Sequence, residues 1–146
     1  MFYKRSLFLI LTIGFLLAAC GAPSVAPAGS ASSDAPVSVN SGTYTNISPA
    51  QLAEMLQNKD FFFVNTHVPY EGEITGTGAF IPFDRTAQRL NEYPADKNAK
   101  IVLYCRSGRM SAIAAEALMK AGYTNVWNLE GGMIAWEQAG YPLLMK

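Results

Sequence analysis

The sequence predicts an α/β domain, a mainly parallel sheet flanked by helices. Three observations predict it. Apolar runs at 61–64, 101–104 and 125–129 show no consistent polar face, as expected of strands covered on both sides. Stretches with helical spacing stand between and after these runs. Glycine-rich or polar loops close them, and in parallel sheets ligands gather at the carboxyl ends of strands.

The chain begins outside that domain. Lys4 and Arg5 precede an apolar run from Leu7 to Leu17, closed by Leu17-Ala18-Ala19-Cys20. A basic start, a short apolar middle and small closing residues describe an export signal over 1–19. The run is too short for an ordinary membrane-spanning helix. Leu-Ala-Ala-Cys resembles the lipobox of bacterial lipoprotein precursors. That resemblance implies cleavage before Cys20, a lipid on its sulfur, and a membrane-anchored protein of the cell envelope facing outside the cytoplasm. Residues 20–43, rich in Ala, Pro, Ser and Gly, are expected to be the lipidated cysteine and a flexible tether. The folded domain is expected over 44–146.

Ser48 is placed to cap a helix, with Pro49 at its first position and Gln51 closing a capping box. Ile47 and Leu52 take the staple positions, and Leu52, Met55 and Leu56 form a buried stripe ending near Asn58. After the strand at 61–64, an irregular segment with Pro69, Gly72, Gly76 and Gly78 leads to a short strand at 79–81. Asp84 is placed to cap a helical turn through Leu90. The strand at 101–104 runs into Cys105, and a helix over 111–121 stops at Gly122, a residue suited to the C′ position. The strand at 125–129 turns through Gly131-Gly132 into a last helix over 133–139, stopped by Gly140 and Pro142. Phe61, Phe62, Phe63, Trp127 and Trp136 are expected in the core, with Tyr70, Phe83 and Met110 rimming a pocket.

Cys105 is the chemical focus. A thiol between a buried strand and a helix N-terminus stands where backbone N–H groups converge and the helix dipole is positive. That setting favours a thiolate and holds an anion beside it. Arg106 and Arg109 add positive charge to the same loop. With Cys20 committed to lipid, Cys105 has no partner for an intramolecular disulfide, which points to a thiol kept for its reactivity. The whole chain has a formal net charge of zero and no basic patch interleaved with aromatics, so nucleic acid is not an expected partner. No metal or other cofactor is expected, because His67, Glu71, Glu73 and Cys105 match no standard ligand spacing.

Cys105-Arg106-Ser107-Gly108-Arg109 is similar to the active-site loop of rhodanese-type sulfurtransferases. Gly122-Tyr123-Thr124-Asn125-Val126, Leu129-Glu130-Gly131-Gly132, Ala135-Trp136 and Gly140-Tyr141-Pro142 resemble that family's C-terminal signature. Gly76 to Pro82 resembles, more loosely, its glycine-containing segment before an Ile-Pro. The resemblance covers 48–144 and implies a single rhodanese-like domain. Its Cys105 thiolate would take the outer sulfur of a donor such as thiosulfate, release sulfite, and pass the persulfide sulfur to a thiophile. Arg106, Ser107, Gly108, Arg109 and Met110 would bind the substrate and the persulfide. The partners implied are a small sulfur-containing anion, a thiol acceptor and, through Cys20, a membrane; a protein acceptor is left open.

Related phosphatases and arsenate reductases carry an arginine six residues after the cysteine. Ser111 stands there in this chain, which favours sulfur transfer. Two positions depart from the family. Asn65-Thr66-His67 replaces a common Asp-x-Arg, and Glu73 stands where a histidine is common. Asn65, His67 and Glu73 are therefore candidates for supporting Cys105, with His67 tuning the thiolate or positioning substrate. A second reading stays open, a sulfur-carrier or partner-binding module with little turnover of its own.

Overall fold

Alternate residues of the buried strands face two separate apolar cores, and this decides the architecture. The computed structural model describes residues 36–39 and 42–145, with Val39 described by its backbone alone. In chain order the elements are β1 (Pro36–Val39), β2 (Gly42–Ile47), α1 (Pro49–Gln57), β3 (Phe62–Asn65), β4 (Glu73–Ile74) and β5 (Ala79–Phe80). They continue with β6 (Ile101–Tyr104), α2 (Arg109–Lys120), β7 (Val126–Leu129), α3 (Gly132–Gln138) and β8 (Leu143–Leu144). The main sheet has the order β1-β2-β7-β6-β3-β5. It is parallel throughout except where β1 runs against β2. A separate antiparallel pair joins β4 to β8, with Glu73 opposite Leu144.

On one face Phe63, Val102, Tyr104 and Leu129 pack with Leu52 of α1 and with Met133 and Trp136 of α3. On the other face Val64, Ile101, Leu103 and Val126 pack with Ala114, Ala115 and Leu118 of α2. The sheet is the middle of three layers, which is why its strands carry no polar face. Burying each such Leu or Ile contributes about 2 kcal/mol.

The helix ends follow the sequence closely. Ser48 Oγ accepts the Gln51 N–H at 3.3 Å, and Gln51 Oε1 accepts the Ser48 N–H at 2.7 Å, completing the expected capping box. Beyond α2, Gly122 takes a left-handed φ of 91°, its N–H donates to Met119 O, and the Tyr123 N–H donates to Leu118 O. These paired bonds satisfy carbonyls that the helix end would otherwise leave open.

Four expectations are corrected. Pro36–Val39 falls within the segment expected to be tether, yet it pairs with β2, and Val37 packs against the core. The cause is local: Val37 and Val39 alternate around Ser38, a strand pattern that the surrounding small residues mask. Asp84 caps nothing; it lies inside a single 3₁₀ turn at Phe83–Arg85, with a second at Leu90–Glu92. α2 begins at Arg109 rather than at 111, because left-handed Gly108 already supplies the break before it. The irregular segment after β3 contains a strand, β4. The export signal, Cys20 and residues 20–35 of the expected tether lie outside the described residues.

Candidate functional site

β6 lies between β7 and β3, so Cys105 leaves the sheet among neighbours on both sides. It is 1% exposed. Its Sγ accepts the Gly108 N–H at 3.1 Å and lies 3.4 Å from the Ser111 Oγ. The same hydroxyl lies 3.1 Å from the Gly108 carbonyl, so its single proton serves one acceptor at a time. Both contacts put a donor on sulfur, and donors so placed stabilise negative charge there. Gly108 needs its left-handed φ of 88°, and a Cβ there would stand 3.2 Å from Gly131 N and 3.3 Å from Leu129 O.

The first turn of α3 holds the loop from outside. The Met133 N–H donates to Cys105 O at 2.9 Å, and the Ile134 N–H donates to Arg106 O at 3.0 Å. The approach is so close that a Cβ on Gly132 would sit 2.3 Å from Cys105 O. In a trans peptide the N–H points opposite to the carbonyl it is bonded across from. With the Cys105 and Arg106 carbonyls turned to α3, the amides of Arg106 and Ser107 point away from it.

The segment after β3 is fastened by side chains. Asn65 Nδ2 donates to Gly72 O at 2.9 Å, while its Oδ1 accepts the His67 N–H at 3.0 Å. Thr66 donates to Tyr104 O through both its N–H, at 2.8 Å, and its hydroxyl, at 2.9 Å. The Tyr104 hydroxyl accepts the Ile74 N–H at 3.1 Å and lies 2.7 Å from Thr77 Oγ1. Burial pushes the Tyr104 phenol up to about 12, so it stays neutral at ordinary pH.

One carboxylate connects the two segments. Glu71 Oε2 accepts from Arg106 Nη1 at 2.7 Å, and His67 Nε2 lies 3.3 Å from the same oxygen. His67 is buried, and neither of its ring nitrogens makes a hydrogen bond. Beside this pair a cleft of about 220 Å³ is bordered by Glu71, Arg106, Ile134, Glu137 and Met145.

Around Cys105 the structure therefore gathers Gly108 and Ser111 directly, with Arg106 and Ser107 in the same loop. Ser107 and Arg109 are exposed, Arg109 on the first turn of α2, and Met110 is half-buried. Asn65 and His67 leave the adjacent strand, but His67 reaches Glu71 and not the sulfur. Glu73 is buried on β4, where its Oε2 accepts from the Tyr70 hydroxyl at 3.3 Å. Tyr70 stacks edge-on against Phe80, and Phe83 packs against the core. Among the described residues no group of three or more His, Cys, Asp or Glu side chains could hold a metal ion.

Three contributors escaped sequence reasoning: Ser111 as a donor to sulfur, Gly132 as a close-approach residue, and Glu71 as the partner of Arg106. The glycine pair was visible and could have signalled the second. Position 111 stood out only for the arginine it lacks, and no sequence signal paired Glu71 with Arg106.

The model of the rhodanese-like domain matches residues 48–139. A sulfurtransferase of Allochromatium vinosum is 42% identical over 64 residues, covering 44% of this chain and 58% of that protein. A tRNA uridine(34) hydroxylase of Picosynechococcus is 32% identical over 101 residues, covering 65% of this chain and 33% of that protein. The chain thus spans 58% of the length of the first of these curated relatives and 33% of the second. A crystal structure of a rhodanese-related protein from Thermoplasma volcanium superposes with a TM-score of 0.61 at 27% identity, covering 70% of this chain and 100% of that one.

Proposed function

Because this chain belongs to the rhodanese-like domain family, we propose that it is a sulfurtransferase that carries sulfane sulfur on Cys105. In the first half-reaction the Cys105 thiolate attacks the outer sulfur of a donor such as thiosulfate. The new S–S bond forms as the donor's S–S bond breaks, and sulfite leaves with the electron pair. In the second, a thiolate or cyanide attacks the outer sulfur of the persulfide, and Cys105 departs as thiolate.

The observation that carries this reading is the set of donors on Sγ. Gly108 N–H and Ser111 Oγ meet the sulfur at 3.1 and 3.4 Å. The Arg106 and Ser107 amides, turned away from α3, stand ready for charge on an outer sulfur. Ser111 also occupies the place where an oxyanion-handling loop would need a guanidinium, which supports sulfur over phosphoryl or arsenate chemistry.

The test is intact-mass analysis of the full, reduced chain after incubation with thiosulfate or with methanethiosulfonate, a donor of lower charge. Wild type should gain one sulfur and Cys105→Ser none, with unchanged circular dichroism. A gain in both proteins, or in neither, overturns the reading.

A further inference from the structure

We propose that Glu71 sets the charge preference for the sulfur donor: its carboxylate occupies the guanidinium of Arg106 that a small dianion would otherwise use. The site therefore discriminates against doubly charged donors such as thiosulfate in favour of donors carrying less negative charge. This inference rests on the sulfurtransferase reading and concerns the same site.

Two observations carry it. The Arg106 guanidinium adjoins the reactive loop but is already engaged, with Nη1 2.7 Å from Glu71 Oε2. The cleft opening at that point adds a second carboxylate, Glu137, with Arg106 as the cation on its border. An anion arriving there meets two negative charges and a neutralised positive one. To take the Nη1 edge of the guanidinium it must displace Glu71, which then remains beside the buried His67 Nε2, 3.3 Å from its carboxylate; at the other N–H groups it still meets a charge that Glu71 has already balanced. Glu71 is 38% exposed on its side chain, so the exchange requires no opening of the core.

Coulomb energy is linear in charge, so the penalty imposed on a dianion is twice that on a monoanion, and the fold-changes are related as a square. Thiosulfate and methanethiosulfonate form a matched pair. Each offers an outer sulfur, and they differ by one negative charge; the leaving groups are sulfite and methanesulfinate. The experiment measures the second-order rate of sulfur uptake by Cys105 from each donor, by intact mass, in the full chain and in Glu71→Gln. For charges about 6 Å apart in water, removing the carboxylate should speed uptake about ten-fold for thiosulfate and about three-fold for methanethiosulfonate. Added salt should shrink both gains. An equal gain for the two donors, or none, overturns the proposal. If wild type takes sulfur from neither donor, the sulfurtransferase reading itself fails, and this inference with it. Unchanged melting temperature in Glu71→Gln excludes a folding defect as the source of either result.

Discussion

The segments that leave β6 and β3 stand side by side at one end of the sheet and are built on opposite plans. After β6, the turn from Cys105 to Gly108 is held by backbone: α3 amides on its carbonyls, and glycines where chains approach too closely for a Cβ. After β3, a longer path to β5 adds side chains to the backbone pairing of β4 with β8: Asn65 on Gly72, Thr66 on Tyr104, and Tyr104 on Ile74 and Thr77. The first plan tolerates almost no added atom. Apart from Gly72, where a Cβ would stand 3.1 Å from Leu144 O, the second tolerates change at a cost set by one hydrogen bond at a time. A short turn that must present amides in a fixed direction needs the first; a connection that only has to stay in place can use the second.

The contrast breaks most visibly at Gly132. Gly132→Ala places a methyl 2.3 Å from Cys105 O in a left-handed backbone, and should cost about 3 kcal/mol. For a domain of this size that lowers the melting temperature by about 10–20 °C, which calorimetry checks. Sulfur uptake at Cys105 should fall with it, since the same contact aims the loop amides.

Tyr104→Phe comes next. Losing the hydroxyl leaves the Ile74 N–H unsatisfied and should cost about 1–2 kcal/mol in a denaturant titration. This variant also sharpens the pH behaviour. Burial raises the Tyr104 and Tyr93 phenols from 10.0 to about 12, so the folded state binds those protons more tightly than the unfolded chain. The associated stability is complete below about pH 10 and is lost as pH rises through about 12. Melting temperature should fall across that window in wild type, and less steeply in Tyr104→Phe.

Asn65→Ala removes two side-chain bonds at the start of the same path and should likewise cost about 1–2 kcal/mol, read from the shift in denaturation midpoint. Smallest is Glu71→Gln, whose exposed ion pair with Arg106 should change stability by less than about 1 kcal/mol. Its effect belongs to the donor's rate, which separates it from the three substitutions above.

The same contrast explains what the sequence could reveal. Glycines at 108, 131 and 132 are legible because positive φ and close approach admit few other residues. The loop, the helix after it and the strand before it were therefore placed to within two residues. Asn65-Thr66-His67 was legible only as a departure from a familiar pattern. Nothing in the sequence says that an asparagine will meet a carbonyl seven residues on, or that a glutamate will reach an arginine 35 positions away. β1 was hidden for another reason: its pairing depends on alternation across four residues, too short a pattern to stand out from the tether around it.

That strand closes the described sheet at one margin, and β5, of two residues, closes it at the other. β1 offers four residues to a newcomer, the first a proline with no N–H to give. Behind it lies the six-residue β2, a longer row of donors and acceptors on which another chain could polymerise. Pro36–Val39 thus leaves that margin of the described sheet shorter and blunter than β2 would make it.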